Sequence, residues 1–376
     1  MRSLVYSLVI WKNFVAIPIN VPLIGKEEIS AVNSVLKSGG LTSASQYGGK
    51  NVQELESLVR KLVKSRYAVA VNSGTAALQA ALYSLDIGHG DEVIVPSFTF
   101  VASANAIAST GAKPVFADIL RENFTIDPES ISKRITKKTK AIMPVHLYGN
   151  VAHINSIKDI ARKNNLYVVE DAAQSLGSTF KGKHSGTFFD LGCYSLYPGK
   201  VVTSGEGGII VTNNRKLYDN LLMIRNHGMV HGYDSKVFGL NLRLPETSAA
   251  IGKIQIKKLK NFIKLRTRNA NLLSKLVSDL NIQIPTERKG EKVNWSLYTI
   301  AIKNRNKILK KLHSKGIGAA VYYPIPVHKI PNYKTKTKLV NTEWATKHVL
   351  SLPIHPKVTT KNIHFIGKTI RDIVNG

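Results

Sequence analysis

The feature that most constrains this chain is a repeated local order. A short apolar run is followed by a small polar turn and then by a helix-forming stretch. Residues 67–71 read Tyr-Ala-Val-Ala-Val, followed by Asn72-Ser73-Gly74-Thr75 and the helix former 76–82. The order returns at 92–96 with the helix opening over 97–107, and strands follow at 113–119, 141–145, 167–170 and 208–212. Runs of this length alternating with helical stretches predict a mostly parallel sheet with helices on both faces. Ligands of such sheets bind just beyond the carboxyl ends of the strands.

Three of these strand ends carry chemistry. The turn Asn72–Thr75 opens a helix whose first amides lack intrahelical partners, so Gly74 and Thr75 can hold a phosphate there. The plain alternative is an N-cap by Ser73 or Thr75. The run 168–171 ends in Glu170-Asp171, with Gln174 three positions on. An aspartate in that place is also a common turn or cap residue. After Cys193-Tyr194-Ser195 comes Lys200, set between Pro198-Gly199 and the glycine-rich run 205–208. A single lysine is ordinarily a solvated surface charge. Together, a lysine amine, a strand-end carboxylate and small polar residues are what pyridoxal 5'-phosphate needs. The amine forms an imine with the aldehyde, and the carboxylate keeps the pyridine nitrogen protonated.

Glu170-Asp171-Ala172-Ala173-Gln174-Ser175, Ser195-x-x-x-x-Lys200 and Gly205-Glu206-Gly207-Gly208 occur in this order. In that combination the chain resembles the DegT/DnrJ group of nucleotide-sugar aminotransferases, from about Ile17 to near its end. The resemblance implies an α/β chain of the PLP-dependent transferase fold type I. A large domain with a mostly parallel seven-stranded sheet is expected over residues 17–260, after an extension over 1–16. A smaller C-terminal α/β domain is expected over 261–376. It also implies roles. Lys200 carries the cofactor and moves the proton; Asp171 binds the ring nitrogen; Gln174 meets the ring face or its phenolic oxygen; Phe100 stacks on the ring. Gly74, Thr75 and Ser195 bind phosphate. Asn241, in Gly239-Leu240-Asn241-Leu242-Arg243, reaches the phosphate of a neighbouring subunit, which implies a two-fold homodimer. Tyr323 and His328 are the substrate-side candidates. Relatives with histidine in place of the lysine dehydrate their substrate, so Lys200 favours amino transfer, with glutamate as donor and a nucleotide-linked keto-sugar as acceptor. The Tyr-Pro-Gly-Lys form is similar to that of relatives aminating a 3-keto sugar. A keto-cyclitol or other ring ketone as acceptor, and a non-catalytic PLP-binding sensor, are the competing readings. Gly40 and Val151-Ala152-His153-Ile154 depart from the family pattern.

Length and composition agree with this. The 376 residues, 43% of them hydrophobic, allow one large and one smaller core. The one cysteine excludes an intrachain disulfide and fits a reducing, cytoplasmic compartment. No His/Cys/Asp/Glu grouping has metal-ligand spacing, so no metal is expected. Residues 1–16 are apolar but interrupted by Lys12, too short to span a bilayer, and show no obvious small-residue cleavage site, so a signal peptide is the minor reading. They read as an extension or an edge strand, and no membrane partner is expected. The chain carries a net charge of +29, and from Lys253 onward it has twenty-six Lys and Arg against five Asp and Glu. The basic residues are scattered and lack interleaved aromatics. A solvated lysine-rich surface or steering of a diphosphate substrate is therefore expected, rather than a nucleic-acid site. In residues 26–36, Ile29, Val32 and Leu36 fall on one helical face.

Overall fold

A computed structural model describes residues 16–375, so all but Ala16 of the expected extension lies outside the described residues. Helices α1 (Lys26–Ser38) and α2 (Lys50–Val63) lead into β1 (Tyr67–Val71) and α3 (Gly74–Ser84). Then come β2 (Glu92–Pro96), α4 (Ala102–Ser109), β3 (Lys113–Ala117), α5 (Pro128–Ser132), β4 (Thr139–Ile142), α6 (Ile154–Lys163) and β5 (Tyr167–Asp171). A short hairpin, β6 (Thr179–Phe180) and β7 (Lys183–His184), precedes β8 (Leu191–Ser195), β9 (Gly208–Thr212) and α7 (Arg215–Arg225). The ribbon β10 (Met229–His231) and β11 (Asp234–Ser235) is followed by the long α8 (Glu246–Val277) and β12 (Glu291–Lys292). The chain ends with β13 (Tyr298–Ala301), α9 (Arg305–Ser314), α10 (Val340–His348), β14 (Val349–Leu352) and α11 (Thr360–Asn375).

The central sheet has seven strands in the order β1-β9-β8-β5-β4-β2-β3. Pairings β2/β3, β2/β4, β4/β5 and β5/β8 are parallel, while β9 runs antiparallel to both β1 and β8. Strands β2, β8 and β9 are buried along their whole length, as expected where helices cover both faces of a sheet. The sequence expectation of a mostly parallel seven-stranded sheet is met.

A second core gathers around β13 and β14, which pair antiparallel, with Ile308 and Leu312 of α9 and Ile363, Ile366 and Ile370 of α11. Ile17 joins this core, and its backbone amide donates to the Gly316 carbonyl at 3.0 Å. Helix α8 belongs to both bodies. Its first half buries Ala249, Ile256, Leu259 and Phe262 against the large core, and its second half buries Ala270, Leu273 and Val277 in the small one.

Helix α1 keeps the expected apolar face together but does not turn it to the core. Ile29 and Leu36 are each 56% exposed, and the buried residues are Glu28 and Val35. Glu28 accepts from Gln255 Nε2 at 2.8 Å, from Lys258 Nζ at 2.8 Å and from the Gly25 amide at 2.9 Å. Burial works against its charge, but these donors win and hold its carboxyl below the ordinary value. A charged group turned inward with its partners thus sets the helix rotation, and the apolar stripe faces out.

Candidate active site

Strands β1, β5 and β8 end on the same edge of the sheet, and each end presents one of the expected groups. At the end of β1, Ser73 caps α3: its hydroxyl accepts from the Ala76 amide at 3.0 Å and its carbonyl from the Ala77 amide at 3.0 Å. The amides of Gly74 and Thr75 have no partner among the described residues. The N-cap reading of Ser73 is therefore correct, and two free donors stand beside it at the positive end of the helix. A Cβ on Gly74 would lie 2.7 Å from Ser195 Cβ and 3.1 Å from its Oγ. One on Gly208 would lie 2.2 Å from the Ser73 carbonyl oxygen. Only glycine at both places lets the Ser195 hydroxyl reach the opening of α3.

At the end of β5, Asp171 is buried. Its Oδ2 accepts from Ser103 Oγ at 2.7 Å and its Oδ1 from the Ala173 amide at 3.2 Å. Burial pushes its carboxyl above the ordinary value, against these two bonds and the charge of Lys200. No cation lies at hydrogen-bond distance among the described residues. Thr99 bonds Ser103 at 3.0 Å and so fixes the hydroxyl that holds the carboxylate.

After β8 the chain turns through 197–200, where the Lys200 amide donates to the Tyr197 carbonyl at 2.9 Å. The loop is tied back by Thr203 Oγ1 and the Ser204 amide, each donating to the Leu196 carbonyl at 2.9 Å. Asn20 holds the Pro198 carbonyl at 3.2 Å. Burial lowers the Lys200 amine from its ordinary value, opposed by the charge of Asp171. No acceptor holds this amine among the described residues.

One wall of the site is aromatic. The Gln174 amide is locked between the Tyr148 backbone N–H (2.8 Å) and the Tyr323 hydroxyl, to which its Nε2 donates at 3.0 Å. The Tyr323 ring lies 5.8 Å from that of Phe100, which is 55% exposed. His328 goes elsewhere. It is fully buried, its Nδ1 sits 2.6 Å from Ser97 Oγ, and its own amide donates to the same oxygen at 3.0 Å. It ties the 327–329 turn to the loop after β2 and presents no atom to the opening. Asn241 is exposed; its backbone carbonyl accepts from Asn72 Nδ2 at 3.2 Å, close to the start of α3.

The donors and acceptors fit pyridoxal phosphate. An unpartnered, half-buried amine, a buried carboxylate without a counter-cation and a glycine-floored helix start match its aldehyde, its protonated ring nitrogen and its phosphate. Ser103 escaped the sequence reading because it lies 68 residues from Asp171 and belongs to no motif. The His146–Glu170 pair, 2.8 Å apart and fully buried, supports the same strand end from the other face. The described residues include no group of His, Cys, Asp and Glu able to hold a metal ion.

Comparison with known proteins agrees. The family described as the DegT/DnrJ/EryC1/StrS aminotransferase family matches residues 22–371. The UDP-N-acetyl-3-dehydro-alpha-D-glucosamine 3-aminotransferase of Acidithiobacillus ferrooxidans is 38% identical, over 89% of this chain and 92% of that protein. The GDP-perosamine synthase of Escherichia coli O157:H7 is 36% identical, over 95% of this chain and 98% of its own length. The solved structure of S. venezuelae DesV superposes with a TM-score of 0.90 at 33% identity, covering 96% of this chain and 99% of that one.

Proposed function

The chain belongs to the DegT/DnrJ/EryC1/StrS aminotransferase family, and from that premise we propose that it uses pyridoxal phosphate to move the amino group of glutamate onto a nucleotide-linked keto-sugar. The observation that carries this reading is the convergence at one sheet edge of the Lys200 amine, the Asp171 carboxylate and the free amides of Gly74 and Thr75. The named relatives act on UDP- and GDP-linked sugars, which supports a nucleotide-sugar acceptor.

When bound, the cofactor supplies an aldehyde that captures an amine and a cationic ring that accepts the electron pair left by a departing proton. The protein's own groups do the rest. Lys200 Nζ, whose grip on a proton is weakened by the surrounding protein, would hold and return the proton that moves during transfer. Asp171 would accept the ring N–H and keep it charged, while Ser103 and the Ala173 amide hold the carboxylate still. The amides of Gly74 and Thr75 and the Ser195 hydroxyl would hold the phosphate. Phe100 would cover one face of the ring. Gln174 and Tyr323 line the acceptor side as a bonded pair. His328 acts through Ser97, which it fixes.

A homodimer completes the reading. Ile24, Ile29, Leu36 and Leu41 are all about half exposed and lie close together in the chain. An apolar stripe of this kind suits a second copy of the chain, with Asn241 reaching the partner's phosphate site. The single buried cysteine and a site built for charged sugar nucleotides support a cytoplasmic setting.

The test is the visible spectrum of the purified protein before and after glutamate. The reading expects an absorption band that glutamate bleaches, restored by a nucleotide-linked keto-sugar, and no such band in Lys200→Ala. A band that glutamate leaves unchanged would turn the reading toward a sensor.

A further inference from the structure

We infer that Asn20 is a positioning residue for Lys200, carrying the placement of the small body to the turn that bears the amine. This assignment rests on Lys200 being the amine that binds the cofactor. The segment before Asn20 belongs to the small body. The Ile17 amide donates to the Gly316 carbonyl at 3.0 Å, and the Gly318 amide donates to the Ile17 carbonyl at 2.8 Å. His355 Nε2 lies 3.0 Å from the Pro18 carbonyl. Asn20, half-buried, is where this segment meets the large body. Its Oδ1 accepts from Arg266 Nη2 at 2.9 Å, and its Nδ2 donates to the Pro198 carbonyl at 3.2 Å. The guanidinium decides how the amide is set. A nitrogen turned to Arg266 would bring donor against donor, so the oxygen faces Arg266 and the NH2 faces Pro198. Arg266 is itself fixed. It is 3% exposed, and its Nη1 donates to the carbonyls of Trp295 and Ser296 at 3.1 and 3.3 Å, just before β13. The Asn20 amide is thus oriented by a buried group that is bonded to the small body.

The lysine turn depends on such a hold. The far end of its loop is tied to its own strand, by Thr203 Oγ1 and the Ser204 amide on the Leu196 carbonyl. The near end is not. Among the described residues, 197–200 receive one hydrogen bond from outside their own loop, and it is the one from Asn20. Tyr197 and Gly199 are exposed, so packing adds little. A reacting group on a turn held at one point takes its placement from that point, and a shift of about 1 Å can cost about a hundredfold in rate.

Two substitutions separate positioning from support. In Asn20→Asp one carboxylate oxygen keeps the bond to Arg266, which has no acid partner among the described residues, while the other has no proton to give to Pro198. This variant should melt no lower than the wild type, because the buried guanidinium gains a counter-charge. Asn20→Ala loses both bonds, adds no charge and should melt lower. The full-length protein of each, freed of cofactor, should form the absorption band with added pyridoxal phosphate about tenfold more slowly than the wild type. Loaded with cofactor, each should be bleached by saturating glutamate about tenfold more slowly, with the half-saturating glutamate concentration within about twofold of the wild type. Rates are taken per molecule of folded protein, so a loss of stability does not enter them. Wild-type rates in Asn20→Asp overturn the inference, because they show that the residue only supports the fold. A slow Asn20→Asp beside an Asn20→Ala with wild-type rates also overturns it, assigning the effect to the added charge. So does a loss confined to the half-saturating concentration. A wild type that forms no band overturns the reading of Lys200 itself, and the role of Asn20 falls with it.

Discussion

Glu170 and Asp171 are neighbours on one strand, both buried, and they lead opposite lives. Glu170 has all the donors it can use. Its Oε1 accepts from the Phe188 and Phe189 amides at 2.7 and 3.0 Å, and its Oε2 from the Gly186 amide at 2.6 Å and faces His146 at 2.8 Å. Asp171 has only a serine hydroxyl and one long amide bond. The alternation of side chains along β5 sends one carboxylate to the 186–189 turn and the other to the ligand edge. A carboxylate saturated by its own chain is a structural part. One left partly satisfied in a buried place costs the fold stability, and it has the unused acceptor capacity that the proposed contact with a ring nitrogen requires.

The largest effect should come from removing the amine on the Asp171 side. Lys200→Ala should lower amino transfer by about ten-thousandfold or more, while urea unfolding of the cofactor-free protein shows no loss of stability. If stability falls as well, Lys200 is part of the framework and the contrast weakens.

Asp171→Asn should reduce turnover by about a hundred- to a thousandfold and weaken cofactor retention, read by absorbance after dialysis. The same change should leave the cofactor-free protein as stable as before or more stable at neutral pH, because it removes a poorly paired buried charge. The pH dependence carries the sign. Burial raises Asp171 above its ordinary 3.8, so the folded state binds its proton more tightly than the unfolded chain. Its stabilising share is present at acid pH and is lost as pH rises through the raised value. Lys200 is lowered from 10.5, so the unfolded chain holds more protons between the two values, and stability is recovered as pH climbs through that range. Urea midpoints across pH should therefore fall less from acid to neutral in Asp171→Asn than in the wild type.

Glu170→Gln should behave in the opposite way. A glutamine offers one carbonyl oxygen and turns an NH2 toward two donors whichever way it is set. The expected loss is about 3 kcal/mol of unfolding free energy, with the surviving folded fraction still able to bind cofactor. If this variant is stable but inactive, the two carboxylates have been given each other's roles.

The smallest effect belongs to Ser103→Ala, which removes one neutral donor from Asp171. About a tenfold loss in cofactor affinity is expected, with a shifted absorption maximum, while stability changes by no more than about 1 kcal/mol. A spectrum identical to the wild type would show that the serine does not position the carboxylate.

Asp171, Lys200 and Gly74 were legible because each stands in a contiguous stretch whose local order, apolar strand then turn, fixes where its group comes out. Ser103 was not, since it stands on α4 and its value depends on a partner at the end of β5. How α1 packs is not legible for a related reason. Spacing finds Ile29, Val32 and Leu36 on one side of the helix, but nothing local says that Glu28 is drawn inward by Gln255 and Lys258, more than two hundred residues on. The segment around His328 was found, yet its ring turns to Ser97, a contact set by the packing of the small domain on the loop after β2.

Helix α8, 32 residues and about 48 Å long, is an axle embedded in both bodies rather than a tether between them. Any tilt of the C-terminal part toward the cofactor edge must flex that rod or slide a neighbour along it. Substitutions far along its length, near Arg266, should then be felt at Lys200, because Arg266 grips Asn20, and Asn20 in turn grips the Pro198 carbonyl two residues before that lysine.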